Sequence, residues 1–433
     1  MNLHGLLLKR LAAHRPIRVG LIGAGKFGSM FLSQIPTTNG LEVAAIADLA
    51  PDRARAACRE VGWDEDRIAA TRFTDDAMAM IASDDIEVIV EATGHAPAGI
   101  SHARRAIAEG KHIVMVNVEA DVLAGPLLAL EAAAAGVVYS LAYGDQPALI
   151  CELVDWARAC GFNVIAAGKG TKYLPEYHAS TPETVWGYYG LTPEQARIGG
   201  MNPQMFNSFL DGTKSGIEMA AVANATGLTP APNGLAFPPC GTHELANVLR
   251  PGNAGALHHS GQVEVISSVQ RDGSPVQNDL RWGVYVAFEA PNDYAARCFQ
   301  EYGVVTDPTG KISVLYRPFH LIGLELNISV LSAALRGEAT GAATGFRGDV
   351  VATAKRDLKA GEILDGEGGS RVWGKLMPAS ESLRVGGLPI GLANKVPLTR
   401  HVPQGLPITW NDVQIDPSDT TYRYRRQMEE TCR

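Results

Sequence analysis

A short apolar run from Arg18 to Ile22 stops at Gly23-Ala-Gly25-Lys-Phe-Gly28, and helical periodicity through Met30, Phe31 and Ile35 begins at once. No other feature constrains the chain as much. A GxGxxG run is common by itself, but this one follows a predicted strand and opens a predicted helix. The next apolar run, Leu41 to Ala47, ends in an acid, Asp48, twenty residues after the last glycine. In that setting Gly23 allows a tight turn and Gly25 lets the backbone approach a pyrophosphate at the helix N-terminus. Gly28 lets helix and strand pack closely. Lys26 and Phe27 belong to the same loop. Asp48 suits a ribose diol and would repel a 2′-phosphate, which favours NAD over NADP. Arg53 and Arg55 argue weakly the other way, because they fall on the following helix.

The alternation continues, with strands expected at 86–91, 111–116 and 137–142 and helices at 51–61, 100–109 and 126–135. This spacing predicts a doubly wound parallel sheet of α/β class. Glu91-Ala-Thr93-Gly94 and Asn117-Val118-Glu119 fall at carboxyl ends of strands, where open α/β sheets bind ligands. Thr93, Gly94, Asn117 and Glu119 are therefore candidates for the nicotinamide side. Thr93-Gly94 also reads as a plain turn, and Asn117 as a helix cap.

At 433 residues the chain is expected to hold roughly two to four domains. A helix (148–160) and a strand (163–167) prolong the rhythm before a Tyr-, Thr- and Pro-rich stretch breaks it. We place a dinucleotide-binding domain at 16–167 and an α+β substrate domain at 168–336, with helix 320–336 packing back on the first. Gly337 to Gly348 reads as a linker. The last part, 348–433, is strand-rich and repeats itself: Arg356-Asp-Leu-Lys-Ala-Gly361-Glu-Ile-Leu364 aligns without a gap to Arg400-His-Val-Pro-Gln-Gly405-Leu-Pro-Ile408. Two β-turn-β units are expected to face each other.

Net charge is −8 and the sequence pI is near 5.8, which disfavours nucleic acid and anionic membranes as partners. Hydrophobic residues make up 46% of the chain, yet no apolar run reaches the ~20 residues of a membrane helix. The start reads as a short amphipathic helix rather than a secretory signal. Six scattered cysteines without a CxxC pair suggest reduced thiols and a cytoplasmic location. A small-molecule substrate and a homo-oligomer are the expected partners.

Hydride transfer also needs a group to handle the hydroxyl proton, and cations to hold an acidic substrate. Lys169, between Gly168 and Gly170, is a candidate, as are Lys172, Lys214, Glu218, Arg317 and His320. Lys214 and Glu218, four apart on a predicted helix, read equally as a surface ion pair. His320 reads equally as a helix cap. His258 and His259 lack a third ligand, so no metal site is assigned. A divalent cation on Asp145, Glu218 and water is compatible with the residues but not assignable.

The first ~145 residues resemble homoserine dehydrogenase-like nicotinamide-binding proteins, in GAGKFG, EATG and GKHIVMVN. The C-terminal ~70 residues resemble a SAF domain, in RDLKAGEIL, GLPIGLA and RHVPQGLPITWNDV. The whole chain, through NVEAD, AGKG, GTK…EMAAVANATGL and YRPFHL, is similar to the 1-deoxy-D-xylulose 5-phosphate reductoisomerase-like group, which includes D-apionate oxidoisomerases. The resemblance implies nicotinamide redox coupled to a carbon shift in a small sugar acid or polyol. It carries Lys169, Lys214, Glu218 and His320 over as catalytic residues. Asn224 and Arg317 are carried over as substrate-binding, and Asp145 and Lys172, candidates from the residues themselves, are assigned the same role. Two departures qualify it. Val118 stands where homoserine dehydrogenases place a lysine, and Asp48-Leu49-Ala50 stands where NADPH users carry a basic pair. NAD-linked oxidation is therefore the leading expectation. A reductoisomerase, a homoserine-type dehydrogenase and a non-catalytic NAD-responsive protein are the alternatives.

Overall fold

Six parallel strands make the first sheet: β1 Ile17–Ile22, β2 Leu41–Ala47, β3 Arg72–Thr74, β4 Val88–Glu91, β5 His112–Met115 and β6 Tyr139–Leu141. Their order, β3-β2-β1-β4-β5-β6, is that of a doubly wound dinucleotide-binding sheet. β1 and β4 are almost wholly buried, as strands covered on both faces must be. The computed structural model describes residues 2–432, and these divide into two units. One comprises the chain up to Glu152 with His320–Thr344, the other Leu153–Phe319 with the chain from Gly345 onward.

Within the first unit, Leu3 and Leu7 of the helix Leu3–Ala12 join Val330 and Leu331 of the helix Asn327–Arg336 in the core beside β1. Four details differ from the sequence-based expectation, the unread short helices Glu65–Ala70 and Ala77–Ile81 among them. β3, three residues long, carries too little pattern to be read. The helix expected at 126–135 runs from Val118 to Ala134 with Pro126 inside it. Proline marks helix starts, but Asn117 supplies the actual one, its Oδ1 accepting from Ala120 N at 3.1 Å.

The second unit is built on a mixed sheet of β7 Asn163–Thr171, β8 Gln262–Ser267, β9 Val284–Glu289 and β10 Ile312–Arg317, ordered β10-β9-β7-β8. The strand at 163–167, assigned from sequence to the first domain, belongs here. It hydrogen-bonds β8 in parallel and β9 antiparallel, and the boundary moves back to Glu152/Leu153. A βαβ rhythm shows that a strand exists but not which sheet it joins.

The C-terminal part adds two antiparallel pairs, β11 Gly348–Ala354 with β13 Val372–Pro378, and β12 Ile363–Asp365 with β14 Asn394–Pro397. It shares a unit with the mixed sheet instead of standing apart as a third domain. The repeat is paired as mirrored halves. Leu358 and Val402, each two residues past its repeat's arginine, exchange N–H···O bonds at 2.9 Å in both directions. Gly361 N donates to Leu398 O and Gly405 N to Ala354 O, both at 2.8 Å, at equivalent positions. The Gly337–Gly348 tract is no free linker: Leu141 N donates to Gly341 O at 2.7 Å along the open edge of β6, and Thr340 N donates to Ser140 Oγ at 3.0 Å.

Arg425, on the helix Thr420–Thr431, is fully buried. It donates to Asp349 of β11 at 2.7 Å and to Glu429 at 2.9 Å, with its guanidinium 5.0 Å from the Phe346 ring centroid. Asp349 also accepts from Ser382 Oγ. Removing Asp349 leaves the buried guanidinium with Glu429 alone and Ser382 Oγ without its acceptor, so Asp349→Ala should lower stability by about 3 kcal/mol in urea unfolding. A loss below about 1 kcal/mol would show that this network contributes little.

Candidate functional site

The glycine loop after β1 leads into the helix Lys26–Gln34. Gly23 has φ +94°, and a Cβ there would sit 2.7 Å from Ala92 O. A Cβ on Gly28 would sit 2.4 Å from Gly23 O, so the helix approaches the strand as closely as its backbone allows. A Cβ on Gly25 would meet nothing within 4 Å, and no side chain caps the helix that Gly25 begins. An exposed, uncapped helix N-terminus with open space over its first glycine fits a dinucleotide pyrophosphate. Lys26 is exposed at that end and Phe27 half-buried.

Asp48 follows β2 and is buried. Its Oδ2 accepts from Ala24 N at 3.0 Å, and its Oδ1 from Ala50 N and the Arg53 guanidinium, each at 2.9 Å. Burial alone would raise its pKa, but the Ala50 and Ala24 amides and Arg53 outweigh that and hold the carboxyl below the ordinary range. Arg53 is thus the direct partner of Asp48 rather than a distant hint. Being 68% exposed at its side chain, it is free to yield Oδ1 to a ribose hydroxyl. Arg55 pairs with Asp52 and lies over the Phe73 ring.

At the ends of β4 and β5, the structure joins residues the sequence left separate. Thr93 Oγ1 donates to Glu91 Oε1 at 2.5 Å and accepts from Asn117 Nδ2 at 3.4 Å. Glu91 is fully buried, and His102 Nδ1 lies 3.3 Å from its Oε1. Its Oε2 has no hydrogen-bond partner and lies against Gly99, where a Cβ would come within 3.2 Å of it. Asn117 both caps its helix and reaches Thr93. Gly94 has φ +66°, and Glu119 sits in the first turn of the helix Val118–Ala134. His102 escaped the sequence reading, which named Glu91 only as the end of its strand and not among the site residues. The signal available was the single acid ending the apolar run Val88-Ile-Val-Glu91.

In the second unit, Lys169 and Glu218 form a buried ion pair, exposed by only 6% and 4%. Lys169 lies on β7 and Glu218 on the helix Thr213–Thr226, which is buried nearly all round. The surface-pair alternative for Glu218 is therefore excluded. The two flanking glycines now have a reason. A Cβ on Gly168 would sit 1.7 Å from Glu264 O, and one on Gly170 would sit 1.9 Å from Leu280 O. Successive strand residues face opposite ways, so backbone crowds one face of β7 while Lys169 points from the other. Lys214 lies half-buried in the first turn of Glu218's helix.

Asn224 does not meet its expectation as a substrate ligand. It is fully buried, its Oδ1 accepts from Arg347 N at 2.7 Å and Gly348 N at 2.9 Å, and its Nδ2 donates to Gly348 O. It clamps the entry to β11. Lys172 donates to Tyr188 O at 2.6 Å, and Arg317 ends β10 with its guanidinium over Phe319. His320 is half-buried and opens the segment that returns to the first unit. It caps no helix, since the next one begins at Asn327. Asp145 is buried ahead of the helix Gln146–Ala159 and accepts from Gln146 N. Among the described residues, no group of three or more His, Cys, Asp or Glu is arranged to hold a metal ion.

Behind Gly168 lies Glu264, fully buried, whose carboxylate collects the N–H groups of Ala236, Phe237 and Val265 and the Gln262 amide. Burial pushes its pKa up to about 7 despite these donors. A carboxyl raised by folding favours the protonated native state, so its contribution is complete below the ordinary Glu value and lost as pH rises through about 7. Wild-type stability should therefore fall between pH 4.5 and 7 by an amount that Glu264→Gln removes. Parallel urea midpoints for the two proteins across that range would overturn this assignment.

Residues 17–116 match the family model described as "Oxidoreductase family, NAD-binding Rossmann fold", and residues 144–326 match "Oxidoreductase DRL, catalytic domain". An inositol 2-dehydrogenase of Acidothermus cellulolyticus is 31% identical over 128 residues, 28% of this chain and 34% of that protein. The chain thus spans about a third of the curated relative it matches. Among solved structures, a homoserine dehydrogenase from Thiobacillus denitrificans aligns at TM-score 0.42 and 15% identity, over 74% of this chain and 73% of its own. A myo-inositol dehydrogenase from Lactobacillus casei, solved with NAD(H) and myo-inositol, aligns at TM-score 0.30 and 16% identity, over 40% and 50%. The α/β fold is thus that of an NAD-binding Rossmann domain followed by a segment similar to an oxidoreductase catalytic domain.

Proposed function

We propose that the protein is an NAD-dependent oxidoreductase that oxidises a hydroxyl of a small sugar acid or polyol, with a coupled carbon shift as its finer specialisation. The observation that carries the reading is the buried Lys169–Glu218 pair on a strand whose flanking glycines leave the lysine only one direction. The match of residues 144–326 to an oxidoreductase catalytic domain spans both residues, and the partial likeness to an inositol dehydrogenase supports a polyol-like substrate.

NAD would be held by the Gly23–Gly28 loop at its pyrophosphate and by Asp48 at the adenine ribose, with Thr93 and Asn117 toward the nicotinamide. When bound, it supplies hydride transfer. The protein's own task is the proton. Lys169 Nζ accepts the proton of the substrate hydroxyl as it passes one to Glu218 Oε2, so the pair takes up one proton and goes from net neutral to net positive while the hydride leaves and the carbonyl forms. Burial excludes water that would compete for that proton.

Gly25→Ala adds a methyl group where the protein places no atom, so it should leave the unfolding temperature unchanged and weaken NAD binding at least tenfold by calorimetry. Unchanged affinity would remove the pyrophosphate from this loop. An NAD-linked screen over C4 to C6 sugar acids and polyols, with products identified by NMR, tests the activity and reports any carbon rearrangement. On the substrate found, Lys169→Met and Glu218→Gln should each lower kcat/KM by about 100-fold or more, the range of a lost general acid–base. Activity within about threefold of wild type would refute the proton-transfer roles.

A further inference from the structure

Among the described residues, the buried cations are matched by acceptors. Lys169 has Glu218, Lys355 has Asp211 and two carbonyls, Arg425 has Asp349 and Glu429, and Lys111 has the carbonyls of Ser83 and Ile86. Lys172 and Arg281, both half-buried, are held close to one another with no carboxylate partner. Lys172 follows β7 directly, half-buried, with its Nζ 5.9 Å from the Tyr177 ring centroid and 6.0 Å from that of Tyr189. Its one strong partner is the neutral Tyr188 carbonyl.

Arg281 sits in the turn before β9, half-buried, with its guanidinium 4.9 Å from the Trp282 ring centroid. The turn is fixed in two ways. Arg281 N donates to Asp279 Oδ1 at 2.8 Å, and the backbone presses so closely on Gly170 that a Cβ there would lie 3.0 Å from Arg281 N. Arg281 and Lys172 therefore flank the same end of β7. Burial, and after it the charge of Arg281, lower the pKa of Lys172; the same guanidinium acts on Tyr177 and Tyr189. Among the described residues, no carboxylate lies within ion-pair distance of either cation.

Two like charges held at the same end of one strand repel each other, and an anion placed between them would relieve both. Arg offers a fork and Lys a point charge, a combination suited to a planar carboxylate or a phosphate monoester. We propose that Lys172 and Arg281 form an anion subsite for the acidic group of the substrate, on the strand that carries Lys169. The assignment of that anion to the substrate rests on the oxidoreductase reading above. The pair would make the protein select acids over neutral polyols.

The test is calorimetric titration of the full-length protein with D-gluconate, inorganic phosphate, sorbitol and, separately, NAD. At least one of the two anions should bind and sorbitol should not. Lys172→Met and Arg281→Met should each weaken anion binding at least tenfold and leave NAD affinity unchanged, while Lys172→Arg and Arg281→Lys keep it within about threefold. Gluconate without phosphate identifies a carboxylate site, and phosphate without gluconate a phosphate site; either supports the proposal. No anion binding by the wild type, or undiminished binding by both methionine variants, overturns it. Loss of NAD binding alone would sink the oxidoreductase reading and leave the subsite standing.

Discussion

Two main-chain carbonyls, Glu264 O and Leu280 O, lie so close to β7 that no side chain fits at residues 168 and 170. Much of the second unit depends on that approach. It brings β8 and the turn before β9 against one strand, and Tyr285 Oη, donating to Glu264 O at 2.8 Å, holds the same carbonyl in place. Between two positions that can only be glycine, Lys169 has its direction set by strand geometry alone. Strand geometry aims the Cα–Cβ bond, and the buried pairing with Glu218 orders the rest of the flexible side chain.

The helix Thr213–Thr226 meets this strand from the other side, and it too is positioned by backbone contacts at its ends. Thr213 Oγ1 accepts from Gly374 N at 2.8 Å, and Asn224 grips Arg347 and Gly348. Both partners come from the C-terminal strand-rich part. Glu218 sits midway between the two clamps, so the C-terminal part acts on the Lys169–Glu218 pair by fixing the helix that bears one half of it. Asp211, just before that helix, adds a buried ion pair to Lys355 at 2.8 Å.

What could be read from the sequence was whatever repeats or punctuates. The glycine loop, Asp48, the parallel sheet, the helix 213–226 and the mirrored arginine-glycine units all leave a period or a spacing. Lys169 stood out because of its glycines, although the steric cause lay in residues about 95 and 110 positions away. Asn224 was misread because an amide in a helix looks the same whether it faces a ligand or a backbone. The meeting of Glu91 with His102 went unseen because burial of one carboxylate beside one histidine has no sequence signature, and the sheet membership of residues 163–171 is a choice of partner that no local pattern records. Arg281 belongs to the same class, since its meaning depends on no carboxylate being paired with its guanidinium.

The mirrored pairing of Leu358 with Val402, and of Gly361 and Gly405 with Leu398 and Ala354, has a consequence for how such a module arises. Each half offers donors and acceptors that only the other half satisfies, in matching places. One copy alone would expose an unfinished hydrogen-bonding edge, and the simplest complement to that edge is an identical copy. The module therefore pairs its two halves as the two copies of a dimer would pair, with the encounter taking place inside one chain.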